Sequence, residues 1–139
     1  QMADTVTIAT LQENDKRVVR SVVVQSDGSG GTSLLVDVSA LTANSQGDTC
    51  TTVSLQRLWF SCSNGNGFDA YARIDQEDSD GDIPILGLTQ AGYWDFREFG
   101  GIPANTTSNS NQYDVNLVVP GEADAGNMYT VVAEFIKNY

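Results

Sequence analysis

The closing stretch MYTVVAEFIKNY, residues 128–139, decides the fold class, because it alone carries both a helical and a strand pattern. Its apolar positions Met128, Val131, Val132, Phe135 and Ile136 recur at helical spacing. The same residues also alternate, with Tyr129, Val131, Ala133 and Phe135 set against Thr130, Val132, Glu134 and Ile136. YTVV is rich in β-branched and aromatic side chains, which suit a pleated surface better than a helix. No other segment has a convincing helical period, so the strand reading makes the whole chain all-β.

Working outward, short β-rich runs are separated by clusters of Gly, Asn, Ser and Asp. VTIATL (6–11) and RVVRSVVVQ (17–25) come first, followed by the turn SDGSGG (26–31). SLLVDVSAL (33–41) places Leu34, Val36 and Val38 on one face. In TTVSLQRLWFSC (51–62), Val53 and Leu55 share one parity, whereas Leu58, Phe60 and Cys62 take the other. That shift at Gln56-Arg57 predicts a bulge or a change of sheet. SNGNG (63–67) carries Asn-Gly twice, the strongest hairpin signal in the chain. FDAYARID (68–75) alternates Phe68, Ala70, Ala72 and Ile74 against Asp69, Tyr71, Arg73 and Asp75. IPILGL (83–88) follows, its Pro84 favouring an edge. GYWDFREFGGIP (92–103) is the most aromatic segment, and YDVNLVV (113–119) lies between the polar loops TTSNSNQ (106–112) and PGEADAGN (120–127). About eight or nine strands in one chain of this length predict a single antiparallel β-sandwich domain over residues 1–139, of jelly-roll or Greek-key type.

Composition excludes several chemistries. Seven Lys and Arg against eighteen Asp and Glu leave a net charge of −11, which opposes direct binding of nucleic acid or anionic membrane. The sequence contains no histidine, which removes Ser-His-Asp and Cys-His catalysis and the commonest zinc ligand. No apolar run approaches the length of a membrane span, and no signal peptide is expected. Met2 reads as the natural start, with Gln1 added in front of it. Cys50 and Cys62 flank one extended run and so are expected as two reduced, buried thiols, which fits a reducing cytoplasm.

Two features are candidates for a site. The stretch DQEDSDGD (75–82) holds five carboxylates and one glycine. With Gly81 at position six of a calcium loop, Gln76, Asp78 and Asp80 fall at positions one, three and five, but position twelve is Gly87 instead of a bidentate glutamate. A looser calcium cage from Asp75, Asp78, Asp80 and Asp82 is the alternative to a solvated strand-to-strand turn, which is the expectation. No other cofactor is expected. The second feature is the aromatic corner, with Tyr93, Trp94, Phe96, Arg97 and Phe99 as interface candidates. The plainer expectation there is a packed corner in which the rings enter the core and Arg97 pairs with a neighbouring acid. Asp95 and Glu98 could supply carboxylate chemistry, but no enzymatic activity is expected. Gly100-Gly101 lacks the helix and lysine that a phosphate-cradling loop needs.

The opening MADTVTIATLQENDKRVVR, together with SLLVDVSAL, YWDFREFGG and YTVVAEFIK, resembles the short, histidine-poor, all-β virion proteins of tailed bacteriophages, especially head decoration (cement) proteins. The resemblance runs the length of the chain without a diagnostic motif. It implies a non-catalytic protein made in the host cytoplasm that binds the major capsid protein on the capsid surface as a homo-oligomer. Tail, connector and fibre-associated proteins are the nearest alternatives, followed by carbohydrate-binding and calcium-dependent adhesion modules. Edge strands at VTIATL or IPILGL would suit strand addition to the lattice.

Overall fold

The decisive stretch is a strand. β9 (Met128–Asn138) turns Tyr129, Val131, Ala133 and Phe135 inward, and none is more than 1% exposed. Met128, at the head of the helical pattern, is exposed. The computed structural model describes residues 5–28, 30–62, 71–78, 81–105, 111–119 and 127–139. Among them lie eight further strands: β1 (Thr5–Glu13), β2 (Arg17–Gln25), β3 (Gly31–Val36), β4 (Thr52–Cys62), β5 (Ala72–Asp78), β6 (Ile83–Leu88), β7 (Gln90–Asp95) and β8 (Asn111–Val119). The SNGNG turn, Phe68, Asp69, Ala70, Asp80 and most of the loops 106–112 and 120–127 lie outside the described residues. Among the described residues no helix is long and apolar enough to cross a membrane.

Two antiparallel sheets form a sandwich, ordered β1-β2-β9-β4-β7 and β3-β8-β5-β6. The pairs β2·β9, β3·β8, β4·β7 and β5·β6 nest inside one another around the β5–β6 connection and fall alternately in the two sheets. That is a long antiparallel hairpin wrapped into a jelly roll, with β4·β9 and β5·β8 completing the sheets and β1 added at one edge. Between the sheets lie Val22 and Val24 of β2, Leu58 of β4, Ile74 of β5 and Leu117 of β8, among others, each fully buried.

The register carries the expected bulge. Pairing of β4 with β9 passes from Leu55↔Phe135 to Arg57↔Glu134, so Gln56 is the extra residue. The chain stays in one sheet, and Val53, Leu55, Leu58, Phe60 and Cys62 all face the core. Another bulge corrects the reading of 33–41. Leu35 and Val36 are both fully buried, because the β3·β8 register jumps between Leu34 and Val36. Beyond Val36 the chain leaves the sheet and forms a 3-10 turn (Val38–Ala40), whose first N–H groups are capped by Asp37 through Ser39 N at 3.0 Å. Pro84 lies on an edge strand, since β6 ends its sheet. Cys50 and Cys62 are buried free thiols, and burial pushes Cys62 up to about 11.

One buried cation fastens the β1–β2 end. The Lys137 ammonium donates to Glu13 Oε2 at 2.8 Å, to the Asn14 carbonyl at 2.9 Å and to the Thr42 carbonyl at 3.0 Å. All three of its donors are used, and its side chain is 1% exposed. Burial pushes the Glu13 carboxyl up, but Lys137 and the Thr42 N–H outweigh it and hold it below its usual value. Replacing Lys137 by Met should therefore lower unfolding stability by about 3 kcal/mol, because the carboxylate and two carbonyls lose their donor. In urea titrations at pH 7, adding Glu13→Gln to Lys137→Met should recover part of that loss.

Candidate functional site

Directly paired residues in an antiparallel sheet project from the same face. The register Arg57↔Asp95, Trp59↔Tyr93 and Ser61↔Ala91 therefore sets six side-chain positions on the solvent face of the five-stranded sheet. Glu134, Val132 and Thr130 of β9 extend those rows on the other side of β4. Trp59 stacks on Tyr93 with ring centroids 5.2 Å apart, and the Arg57 guanidinium lies 5.0 Å from the Trp59 ring. Both rings are exposed, at 36% and 46%. A shallow groove beside them is lined by Trp59, Ser61, Ala91, Thr130 and Val132, so apart from two hydroxyls its walls are apolar.

A row of ion pairs borders the rings. Arg57 Nε and Nη2 each donate to the Glu134 carboxylate at 2.9 Å, and Arg17 Nη1 lies 3.6 Å from it. Arg57 and Arg17 hold Glu134 below the usual carboxylate value against its burial. Arg97 grips Asp95 through Nε at 2.9 Å and Nη2 at 2.7 Å, and holds that carboxyl well below its usual range.

The other face of β7 continues the aromatic surface. Trp94 stands edge-on to Phe60, Phe96 edge-on to Trp94, and Phe99 tilts against Phe96. The series runs from buried Phe60 through half-buried Phe96 to Phe99 at 69% exposure. The expected packed corner is thus corrected: Arg97 does pair with an acid, but Tyr93, Trp94 and Phe99 stay in solvent. The reason is position, because β7 is an edge strand and every one of its residues is exposed. Trp59 was missing from the expected set. The parity shift at Gln56 was its signal, since alternation from Leu58 and Phe60 inward places Trp59 outward.

Two buried glutamines hold the segment that follows. Gln56 Nε2 donates to the Gly100 carbonyl at 3.2 Å, and its main-chain carbonyl accepts from Phe96 N at 2.8 Å. Leu55 and Ile102 exchange two backbone hydrogen bonds of 2.8 Å. From the other sheet, Gln76 donates to the Asn105 carbonyl at 2.9 Å and accepts from Asn105 N at 2.8 Å. Residues 96–105 are thereby strapped across one end of the sandwich, from β4 to β5. Gly101 lies at φ +93°, and a Cβ there would meet Gln56 Nε2 at 2.1 Å, so the strap passes where only glycine fits.

The acidic stretch is not the expected solvated turn. Asp75, Gln76, Glu77 and Asp78 belong to β5, and Asp75, Gln76 and Asp78 are buried. Both Asp75 oxygens lie 3.0 Å from Arg73 Nε. The turn proper begins at Asp78, whose N–H donates to Asp82 Oδ1 at 3.2 Å and whose carbonyl accepts from Gly81 N at 3.1 Å. Asp75 is taken by Arg73, while Asp78 and Asp82 are joined across the turn, so the three do not converge as a cage. Among the described residues no three carboxylates or thiols are placed to hold a metal ion; Asp80 lies outside them. No family model, curated protein or solved structure matches this chain.

Glu77 and Asp114 instead face one another as neighbours on β5 and β8, with Asp37 and Asp82 close by. Burial, followed by repulsion from Asp114, Asp82 and Asp37, pushes Glu77 above its usual value; burial and repulsion from Asp37 push Asp114 up, against hydrogen bonds from Val38 N at 2.8 Å and from Glu77. Groups raised in the folded state add stability below their unfolded values and lose it as the pH rises through the folded ones. Asp114→Asn keeps the acceptor for Val38 and removes one charge. It should raise Tm at pH 7 by about 2–3 °C, discounting for partial exposure. Melts repeated down to pH 3 should show that gain vanish as the wild-type carboxyls take up protons.

Proposed function

We propose that this chain is a non-enzymatic structural protein of a tailed-bacteriophage virion, a capsid decoration (cement) protein that rests its β4–β7 flank on the major capsid protein. The observation that carries this reading is the exposed edge strand β7, which presents Tyr93 and Trp94 on its two faces between Trp59 and Phe99. Tryptophan, tyrosine and arginine are the side chains that most often anchor protein interfaces, and Arg57 and Arg97 stand beside the rings. A free strand edge next to an apolar groove also suits addition of a partner strand.

Charge distribution supports the same orientation. On the solvent face of the five-stranded sheet, Arg17, Arg57 and Arg97 face Glu134 and Asp95, so that face is close to neutral. At the opposite sheet Glu77 and Asp114 lie close to Asp37 and Asp82, and among the described residues of that sheet's strands Arg73 is the one cation, paired with Asp75. The neutral face would approach the lattice and the acidic face would look outward, which discourages nonspecific association. The lack of histidine and the pairing of buried Glu134 and Asp75 with arginines support a role without catalysis.

A carbohydrate-binding role is the second reading, favoured by the stacked Trp59–Tyr93 pair with ion pairs at its rim. The groove beside it has few polar groups for sugar hydroxyls, which favours a protein partner. The test is co-sedimentation with capsids of the phage that encodes the chain. Trp59→Ala with Tyr93→Ala should reduce capsid occupancy about tenfold or more without changing the melting temperature. Full occupancy by the double variant would remove the proposal, and quenching of tryptophan fluorescence by oligosaccharides would favour the sugar reading. Recovery in tail fractions alone would move the protein from head to tail.

A further inference from the structure

We propose that the free edge of β1 joins two copies of this chain, residues 6–10 of each pairing antiparallel about a two-fold axis at Ile8 into one ten-stranded sheet. The first observation is a mismatch between the layers. The sheet containing β1 has five strands and the opposing sheet has four, with β3 lying mainly under β2. Val6 and Ile8 pair with Val24 and Val22 and so point to the same, core-facing side. Val22 and Val24 are fully buried, yet Val6 and Ile8 remain 40% and 41% exposed, because among the described residues β3 reaches β1 only marginally. Leu11, at the bulge near the end of β1, is 58% exposed.

The second observation is the absence of edge protection. Natural edge strands are blunted by charge, proline, bulges or short length. β6 has Pro84, β7 ends in Asp95, and β3, β6 and β7 have six residues each. β1 has nine, with no charge and no proline in residues 5–12, and its bulge lies beyond residue 10. In a chain of net charge −11, this is the longest edge that a second copy can approach without meeting a carboxylate on it.

Strand direction then selects the partner. Five antiparallel strands leave β1 and β7 running the same way, so β1 of one copy beside β7 of the next, with both four-stranded sheets on the same side, would pair in parallel. Pairing of β1 with β1 is antiparallel, which gives the stronger ladder and a closed dimer. The aromatic flank lies on the opposite edge of the sheet and stays open in the dimer.

An edge contact of this kind buries little area, so association depends on concentration. Sedimentation velocity of the pure chain, from about 1 μM to about 500 μM, should show monomers of 14.9 kDa giving way to dimers and nothing larger. Ile8→Lys sets like charges near the axis and should weaken the dimer about tenfold or more, whereas Tyr71→Lys, at an exposed site just ahead of β5, should not. Should circular dichroism show Ile8→Lys unfolded, Ile8→Cys decides: a short bismaleimide should join its exposed thiols into a dimer, since Cys50 and Cys62 are buried. A monomer throughout the range, trimers or longer rings, an unaffected Ile8→Lys dimer, or no cross-linked band would each overturn the proposal. A monomer that loses capsid co-sedimentation on Ile8→Lys would assign the edge to the lattice instead.

Discussion

The register of β4 against β9 is the constraint on which the rest depends. Side chains in a strand alternate between faces, so a slip of one residue would exchange core and solvent positions. The extra residue at Gln56 makes that exchange once, on purpose. Before it, Val53 and Leu55 enter the core; after it, Leu58, Phe60 and Cys62 do. Without the bulge, Arg57 and Trp59 would be turned into the apolar interior, and burying the guanidinium there would be costly. With it, Arg57 meets Glu134 and Trp59 meets Tyr93 in solvent. The candidate surface is a product of this one irregularity.

Gln56 also serves the end of the sandwich. Turned inward, its carboxamide and carbonyl hold residues 96–105, which have no sheet of their own to satisfy their backbone groups. Gln76 does the same from the opposite sheet by acting as a stand-in for a strand neighbour of Asn105. At the same end, toward the β1 side, Lys137 joins the β1–β2 turn to the excursion through Thr42. Fully paired polar groups of this kind are demanding in geometry, and so they favour one arrangement of the loops over alternatives.

The two edges of the five-stranded sheet have different characters because different things lie beneath them. β7 leads out of the opposing sheet directly from β6, and its inward side chains pack on Phe60 at the margin of the core. A Cβ at Gly92 would come within 2.9 Å of that ring. Among the described residues β1 has β3 only at its margin. The aromatic edge is therefore a shaped surface, and the β1 edge is a plain ladder with apolar side chains along one flank.

Much of this was legible in the residues. Alternation in MYTVVAEFIKNY, the parity change at Gln56-Arg57, Pro84 on an edge strand and the all-β sandwich all follow from side-chain period and turn chemistry, which are local properties. Other features were not legible. Asp75 and Asp78 looked like loop acids because charge usually marks solvent, but β5 runs through them, and Arg73 pairs with Asp75 two residues away on the same face. The aromatic corner looked like core because aromatic clusters usually are, whereas its place on an edge strand leaves it exposed. Side-chain period sets which residues can be strands and which way they face, except where a bulge such as that at Leu35 intervenes. Only the tertiary structure decided which strands became edges and which acids met cations, because those outcomes depend on pairings between residues as far apart as Glu13 and Lys137, where no local periodicity reaches.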